Sequence, residues 1–250
     1  MTHEEAPPPV PDSPRFLAAG ETALVVEFGA AIDPAIHERV LTFDRALAPA
    51  RIEGIIEAVP TYRSVMIHYD PTLIEPQQLV EALRSLPTSG PASSRSQRRW
   101  IVPVCYAPPF AEDLDFVSQT LALTLERVIA LHSGATYRIY MYGFAPGFAY
   151  LGGLPAELAI SRRATPRPRA EANSILIAGG QALIATLPMP TGWYVLGRTP
   201  ERFFSPEREP VFLAEIGDQV QFDPIDERTF ADLAGRVERG EVIARILDPV

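Results

Sequence analysis

Lysine is absent from this sequence: all 22 basic residues in the 250-residue chain are arginine. A Walker-type phosphate loop and a Schiff-base enzyme each depend on a lysine side chain, so both classes are excluded. Any anion that this protein binds must therefore be held by guanidinium groups, backbone N–H groups or helix N-termini. A GC-rich genome would produce the same bias without any functional meaning.

Cysteine and long apolar runs are also scarce. The one cysteine, Cys105, cannot form an internal disulfide, which is typical of a reducing compartment and predicts a cytoplasmic protein. No apolar run approaches the roughly 20 residues that span a bilayer. Residues 1–14 are acidic and proline-rich, do not resemble a signal peptide, and are expected to be a disordered tail. The net charge of −9 argues against a nucleic-acid partner, because phosphate backbones attract a positive face.

Composition divides the rest of the chain into two parts. Residues 15–86 combine strand-like stretches with two amphipathic helical patterns, the first of which begins at Asp33 and Pro34. This order suggests a ferredoxin-like α+β domain with an antiparallel sheet. Residues 87–99 are dominated by proline, glycine, serine and arginine, and are predicted to be a linker.

Residues 100–250 are predicted to form a β-rich domain. Many short strand patterns are separated by glycine and proline turns, which favours a barrel or a sandwich. The stretch "SILIAGGQALIATL" has two apolar runs around Gly179 and Gly180 and predicts a hairpin. Helical patterns cover residues 111–134 before the main strand region and residues 227–240 after it.

The segment "MYGFAPGFAYLGGLP", residues 141–155, combines aromatic side chains with residues that break helices and strands. Its glycines and prolines force turns and allow the backbone to approach a ligand closely. Phe144, Phe148 and Tyr150 would supply apolar walls. Composition supports two interpretations equally: a surface that binds a ligand, or a buried connection whose rings fill the core.

Two arginine-containing stretches are candidate anion sites. "SRRATPRPR", residues 161–169, places Arg167 and Arg169 beside stiffening prolines, and preorganised guanidinium groups suit a carboxylate or a phosphate. "PTGWYVLGRTP" sets Trp193 near Arg198, as in a recognition pocket. The alternatives are a solvated charged loop for the first stretch and a core tryptophan with a surface arginine for the second.

Three further residues have competing interpretations. His132 is a candidate general base, but it lies on the apolar face of a predicted helix and suits a core position better. Asp113 opens a predicted helix and is interpreted as a capping residue. Cys105 lies inside a strand pattern and is interpreted as a core residue. The sequence shows no Ser–His–Asp triad and no metal-ligand cluster.

Several motifs together resemble one known family. "YMYGFAPGFAYLGGLP" is followed by "TPRPR", "AGGQ", "GW" and "LGRTP", and the stretches "EAVPTYRSVMIHYDP" and "ERVIALHSGATYRIYMYGF" agree as well. This combination resembles the family that contains the B subunit of 5-oxoprolinase and allophanate hydrolase subunit 1. The family also includes a sporulation-kinase inhibitor and a segment of the urea carboxylase carboxyltransferase region. The resemblance covers nearly everything from Arg15 onward.

The resemblance implies an α+β chain with a ferredoxin-like N-terminal domain and a cyclophilin-like C-terminal β-barrel. It also implies a C-type partner subunit, similar to allophanate hydrolase subunit 2, and a third, A-type lactam-utilisation subunit. Such a complex resembles the ATP-dependent 5-oxoprolinase, which opens the lactam of 5-oxoproline to glutamate. ATP would then be bound at a site shared with the partner.

The same resemblance suggests which residues form the site. The catalytic positions would be His132, Arg167, Gln181 and Arg198, with the two arginines holding a carboxylate or phosphate and Gln181 bonded to the amide. Phe148 and Trp193 would wall the substrate ring. The residues expected to bind substrate are Gly143, Phe144, Pro146, Gly147, Phe148, Tyr150, Trp193 and Thr199.

The sequence departs from the family's pattern near this expected pocket. "YAPPFAEDL", residues 106–114, stands where the family usually has a glycine-rich "YGGEFGPDL"-like stretch, and residues 173–174, 187 and 191 differ too. These departures leave the substrate open. One alternative is a regulator that docks on a sensor histidine kinase through the apolar segment. Another is a component of an allophanate hydrolase or urea carboxylase, whose biotin must be attached to another chain because this chain has no lysine.

Overall fold

The computed structural model describes residues 13–89 and 97–247 of the chain. The chain divides into two compact units between Ser96 and Gln97, inside the predicted linker 87–99. Residues 1–12 of the predicted tail and residues 90–96 of the predicted linker lie outside the described residues. Each unit has its own hydrophobic core.

The first unit is a four-stranded antiparallel sheet with two helices. Its strands are ordered β1-β2-β4-β3. The chain order is ββαββα, whereas a ferredoxin-like domain reads βαββαβ, so the ferredoxin-like assignment stays a prediction. The elements are β1 (Arg15–Ala18), β2 (Ala23–Glu27), α1 (Pro34–Ala50), β3 (Ile55–Pro60), β4 (Ser64–Tyr69) and α2 (Pro76–Arg84).

Helix α1 begins where the sequence predicts it. The Asp33 carboxylate accepts hydrogen bonds from the backbone N–H groups of Ala35 and Ile36 at 2.7 and 3.1 Å, and Pro34 opens the first turn. Such a cap satisfies N–H groups that have no partner within the helix. The apolar stripes of the two helices are buried in the core of this unit: Ile36, Val40, Phe43 and Leu47 from α1, with Leu79 and Leu83 from α2.

The second unit contains ten strands and three α-helices within the described residues. Its first half consists of β5 (Arg99–Cys105), α3 (Leu114–Leu121), α4 (Leu125–Gly134), β6 (Tyr137–Tyr142), β7 (Ala149–Gly152), a 3₁₀ turn (Ala156–Leu158) and β8 (Arg167–Ala170). Its second half consists of β9 (Ser174–Ala178), β10 (Gln181–Ile184), β11 (Met189–Thr191), β12 (Tyr194–Arg198), β13 (Gln219–Ile225), α5 (Glu227–Glu238) and β14 (Arg245–Leu247). The hairpin around Gly179 and Gly180 and the final helix are confirmed.

Seven of these strands close into a barrel. The order β12-β9-β10-β7-β6-β13-β5 becomes a ring because Arg198 on β12 pairs with Cys105 on β5. Strand β14 extends β5 on one side, and β8 and β11 form a separate two-stranded ribbon. A closed barrel is therefore confirmed, whereas the name cyclophilin-like stays a prediction.

Side chains on the barrel strands alternate between two clusters, as the two-residue period of a strand requires. One cluster takes residues from all seven strands and fills the barrel, and helices α3 and α4 add to it. The other lies on the opposite face of β7, β9, β10 and β12 and packs against the β8–β11 ribbon. This second group, called the outer cluster here, contains the buried residues Phe148, Ala170, Leu176, Ala178, Leu183, Ala185, Trp193 and Val195.

Candidate functional site

The glycine- and aromatic-rich segment between β6 and β7 is a compact turn with one buried ring and one exposed ring. Gly143 donates its N–H to the carbonyl of Phe148 at 3.1 Å, and Phe148 donates to Ala145 at the same distance. Phe148 is buried in the outer cluster, while Phe144 is 77% exposed. The interpretation as a buried connection is therefore correct for Phe148, whereas the exposed Phe144 as part of a binding surface stays a prediction.

Two contacts hold this turn in place. Gly147 has a φ of 74°, and a Cβ at this position would lie 2.1 Å from the Cβ of Phe204, so only glycine fits. The carbonyl of Pro146, an exposed residue, accepts a hydrogen bond from the hydroxyl of Thr186. Phe144 follows the same tight path with a φ of 70°, a conformation that costs a non-glycine residue about 1 kcal/mol. The turn thus presents Phe144 outward.

Three other predicted residues share a sheet face with Phe148. Tyr150 and Trp193 meet edge to face, with ring centroids 6.2 Å apart. Burial raises the pKa of Tyr150, and the nearby guanidinium group of Arg162 partly offsets this. Gln181 begins β10 and lies on the same face as Leu183 of the outer cluster. The structure therefore brings the predicted ring-walling residues together on the outside of the barrel, but Phe148 and Trp193 are buried in the outer cluster, and only Tyr150 is partly exposed.

The predicted arginines meet on two adjacent carboxylates. Arg167 donates from Nη1 to Oδ2 of Asp113 at 2.7 Å and from Nη2 to Oε2 of Glu112. Arg163 donates to the other oxygen of Asp113 at 2.8 Å. Nη2 of Arg198 lies 3.7 Å from Oε1 of Glu112. These five residues, called the arginine–carboxylate cluster here, carry three formal positive charges against two negative ones.

The interpretation of Asp113 as a capping residue is wrong for its side chain. Its side chain makes no capping hydrogen bond to helix α3. Its Oδ2 instead accepts the backbone N–H of Val195 at 2.8 Å, and its own N–H donates to the Val195 carbonyl at 3.0 Å. With two guanidinium groups on the same carboxylate, Asp113 ties the start of α3 to strand β12. A polar residue just before a helix is usually a cap, so its type and position predicted the wrong partner.

Aromatic rings support two of the arginines. The guanidinium group of Arg163 lies 5.3 Å from the ring centroid of Tyr194, and that of Arg198 lies 5.4 Å from Phe110. Contacts of this kind hold a guanidinium plane in a fixed orientation. The Nε atoms of all three arginines in the cluster are buried and have no hydrogen-bond partner among the described residues.

The arginine–carboxylate cluster borders the outer cluster. Val195 contributes its side chain to the outer cluster and its backbone N–H to Asp113. Arg167 pairs with Thr191 across the β8–β11 ribbon, and the Thr191 hydroxyl accepts the N–H of Trp193 at 3.1 Å. Arg169 does not join this arrangement, because it is exposed and pairs with Glu171.

His132 lies in the core, so its proposed catalytic role is corrected. It is fully buried, stacks on Phe222 with ring centroids 4.9 Å apart, and shares a 2.7 Å hydrogen bond between Nδ1 and the Tyr106 hydroxyl. Burial lowers the pKa of His132 to about 3, so the ring is neutral near pH 7. A side chain without solvent access cannot exchange protons with a substrate.

Thr199 is also structural rather than part of an exposed site. It is fully buried, and its hydroxyl accepts the N–H of Glu201 at 3.1 Å. Its own N–H donates to the carbonyl of Asn173 at 3.0 Å. Cys105 is buried in the barrel wall, which confirms its interpretation as a core residue.

Two general features of the described part of the chain bear on its chemistry. Within residues 13–89 and 97–247, no three histidine, cysteine, aspartate or glutamate side chains are grouped so that they could hold a metal ion. No helix in the same ranges is both long enough and apolar enough to cross a membrane.

Comparison with known proteins identifies relatives of this chain. Residues 14–214 match the family described as carboxyltransferase domain, subdomain C and D. The B subunit of 5-oxoprolinase from Bacillus subtilis (strain 168) is 30% identical over 230 residues, which cover 84% of this chain and 92% of that protein. The chain therefore belongs to the family of 5-oxoprolinase B subunits and carboxyltransferase subdomains C and D.

Solved structures agree with this assignment. The crystal structure of TTHA0988 matches with a TM-score of 0.73 and 35% identity, covering 82% of this chain. This chain spans only 40% of the length of TTHA0988. The urea carboxylase of Kluyveromyces lactis matches over 98% of this chain and 25% of its own, with a TM-score of 0.72. At 16% identity, that match shows a shared fold.

Proposed function

We propose that this chain is the B-type subunit of an ATP-dependent amide or lactam hydrolase that converts 5-oxoproline to glutamate. The observation that carries the proposal is the meeting of Arg167 and Arg198 on one carboxylate, beside the outer cluster, at which Tyr150 is partly exposed next to the buried Trp193. A 5-oxoproline molecule has a carboxylate and a small, flat, largely apolar ring. The two neighbouring clusters have complementary chemistry.

Opening a lactam requires an activated carbonyl. ATP would supply this activation by phosphorylating the amide oxygen, with release of ADP. A first water would then attack the carbonyl carbon, and the C–N bond would break as the nitrogen takes a proton, which leaves an acyl phosphate. A second water would hydrolyse the acyl phosphate to glutamate and inorganic phosphate. The role of this chain is to hold the carboxylate with guanidinium groups and to position the ring. Gln181 lies on the same sheet face as the rings and is assigned to the amide.

The partner is proposed to be a C-type subunit, with an A-type subunit completing the enzyme. The relatives are named as B subunits of 5-oxoprolinase, a name that implies other subunits in those proteins. In this chain the absence of lysine leaves arginine and backbone N–H groups to contact a nucleotide. We therefore place ATP at a site that the partner completes.

The test is reconstitution with a C-type and an A-type subunit encoded in neighbouring open reading frames, followed by measurement of ATP-dependent glutamate formation from 5-oxoproline. Arg167→Ala and Arg198→Ala are expected to lower kcat/KM by about 100-fold, since each removes a charge-assisted contact. Arg169→Ala is the matched control, because Arg169 lies two positions from Arg167 on the same strand but is exposed.

Wild-type activity in both Arg167→Ala and Arg198→Ala would remove these residues from the site. Turnover by this chain alone would contradict a site shared with a partner. Failure of the complete complex to open 5-oxoproline, with activity on another amide, would retain the reaction class and change the substrate.

A regulatory role is the second candidate, and one observation favours it. Phe144 is exposed on a turn that holds it in an unfavourable backbone conformation, which is a common feature of recognition residues. Under this alternative the turn docks on a sensor histidine kinase. Co-purification decides between the two, because the enzyme component retains a C-type partner and the regulator retains a kinase.

An allophanate hydrolase or urea carboxylase component is tested in the same reconstitution by supplying allophanate or a biotin-carrying chain.

A further inference from the structure

We propose that Glu112 is a displaceable internal carboxylate, which occupies the site between Arg167 and Arg198 until a ligand carboxylate replaces it. This inference rests on the proposed function in one respect, since it concerns the same arginines. It adds a regulatory residue and a ligand class, a small carboxylate, to that site.

The two carboxylates of the cluster differ in how firmly they are held. The Asp113 side chain is 9% exposed and has three partners, namely Arg163, Arg167 and the N–H of Val195. The Glu112 side chain is 29% exposed, and its partners within the described residues are guanidinium groups alone. Asp113 is therefore the structural anchor, and Glu112 is the carboxylate that can leave at lower cost.

The arginines are preorganised without Glu112. Asp113 holds Arg167 through Nη1, and Phe110 lies against the guanidinium group of Arg198. If Glu112 swings into solvent, these contacts remain, and the site then has three positive charges against the single carboxylate of Asp113. Such a site attracts an anion, and a carboxylate can take the place of Glu112 with the same bonding geometry.

The contact between Glu112 and Arg198 is loose. Nη2 of Arg198 lies 3.7 Å from Oε1, beyond the range of a good hydrogen bond, and Nε of Arg198 has no partner among the described residues. A ligand carboxylate not tethered to the chain can approach Arg198 more closely than Glu112 does. Competition of this kind raises the apparent Kd of the ligand, which equals the intrinsic Kd divided by the fraction of time for which Glu112 is out of the site.

The test uses the variant Glu112→Gln, which keeps the size of the side chain and removes its charge. Binding of 5-oxoproline and of acetate to the full chain is measured by titration calorimetry and by NMR of the arginine Nε–H groups. The control is Glu157→Gln, since Glu157 forms an exposed ion pair with Arg127 elsewhere in the unit.

The expected result is an affinity for both carboxylates about tenfold higher in Glu112→Gln than in wild type, with Glu157→Gln unchanged. The Nε–H signals of Arg167 and Arg198 should shift on titration. Unchanged or weaker binding in Glu112→Gln, with a normal thermal melt, would overturn the inference. The inference also fails if the variant unfolds and the milder Glu112→Asp, which shortens the reach to both arginines, shows no gain in affinity.

Failure of this proposal can be distinguished from failure of the proposed function. If the reconstituted complex does not open 5-oxoproline but Glu112→Gln still binds carboxylates more tightly, the displaceable carboxylate stands and the reaction is wrong. If the complex is active and Glu112→Gln has the affinity of wild type, the reaction stands and Glu112 is only a structural partner of the arginines.

Discussion

Arg167 donates a 2.7 Å hydrogen bond to Asp113, which lies 54 positions earlier in the chain. The contact joins the β8–β11 ribbon to the start of helix α3, next to the Val195 N–H that shares the same carboxylate oxygen. One buried carboxylate thus fixes the position of an arginine that we assign to ligand binding. Stability and the geometry of the proposed site therefore depend on the same residue.

Replacing Asp113 with asparagine should destabilise the second unit strongly. The variant removes the charge that compensates Arg163 and Arg167, and breaking such a buried pair costs about 3 kcal/mol. The free energy of unfolding from urea denaturation measures this loss. Asp115→Asn, an exposed neighbour in the same helix, should change it by no more than about 0.5 kcal/mol. Equal effects of the two variants would show that Asp113 has no special structural role.

Gly147→Ala should destabilise the turn that presents Phe144. The added Cβ would lie 2.1 Å from the Cβ of Phe204, at a backbone φ of 74°. Both effects are unfavourable, and together we expect a loss of more than about 2 kcal/mol in thermal or chemical unfolding. Gly134→Ala is the control, because nothing lies within 4 Å of its Cβ position, and it should be neutral or slightly stabilising.

His132 should make the protein sensitive to acid. Its pKa is lowered to about 3 in the folded state, whereas the unfolded chain titrates near 6.5. As the pH falls below 6.5 the unfolded state takes up the proton first, so the free energy of unfolding decreases by up to about 1.4 kcal/mol per pH unit until about pH 3. This contribution is fully present above pH 6.5.

The variant His132→Phe should lack this slope. Phenylalanine preserves the stacking on Phe222 but leaves the Tyr106 hydroxyl without its partner, so the double variant with Tyr106→Phe is the better comparison. Urea denaturation at a series of pH values measures the effect. An identical pH dependence in wild type and the double variant would mean that other groups cause the acid sensitivity.

Phe144→Gly should separate folding from partner binding. Glycine adopts a φ of 70° without strain, so the variant should be at least as stable as wild type in a thermal melt. Loss of a 77% exposed aromatic ring should weaken complex formation by about tenfold, with the C-type subunit or with a kinase. Phe116→Ala, which removes a half-exposed ring packed on Tyr194, is the control. Complex formation unaffected by Phe144→Gly would exclude this turn from the interface.

Glu201 should hold the C-terminal segment onto the second unit. Its fully buried carboxylate accepts the backbone N–H groups of Ile243 and Ala244, both at 2.7 Å. Glu201→Gln removes the charge from these bonds, so both amides should exchange with solvent at least about tenfold faster in a hydrogen-exchange experiment. Glu207→Gln, at an exposed position nearby, should leave their exchange unchanged.

Local chemistry accounts for the features that the sequence predicts well. The cap at Asp33, the hairpin at Gly179 and Gly180 and the final amphipathic helix all depend on residues within a few positions of one another. The motifs around Gly147 and Trp193 are specific enough to indicate the family from their pattern. Composition also limits the possible ligand chemistry, because an anion site without lysine must use arginine or backbone groups.

Contacts between residues that are far apart in the sequence determine the features that the sequence did not predict. In the sequence, Asp113 has the features of a helix cap and Glu112 those of an ordinary surface residue. Nothing in the local sequence indicates that strands β8 and β12 will lie beside these two residues. His132 is a candidate general base by residue type, and only the closed barrel places it out of solvent against Phe222.

The sequence by itself determined the local elements, the family and the arginine chemistry of this protein, since these follow from neighbouring residues and from residue types. Only the tertiary structure decided that Phe148 is buried while Phe144 is exposed, and that Arg167 and Arg198 share a carboxylate. The physical reason is closure of the barrel. Pairing β12 with both β9 and β5 sets which side chains meet, and no local pattern encodes that pairing.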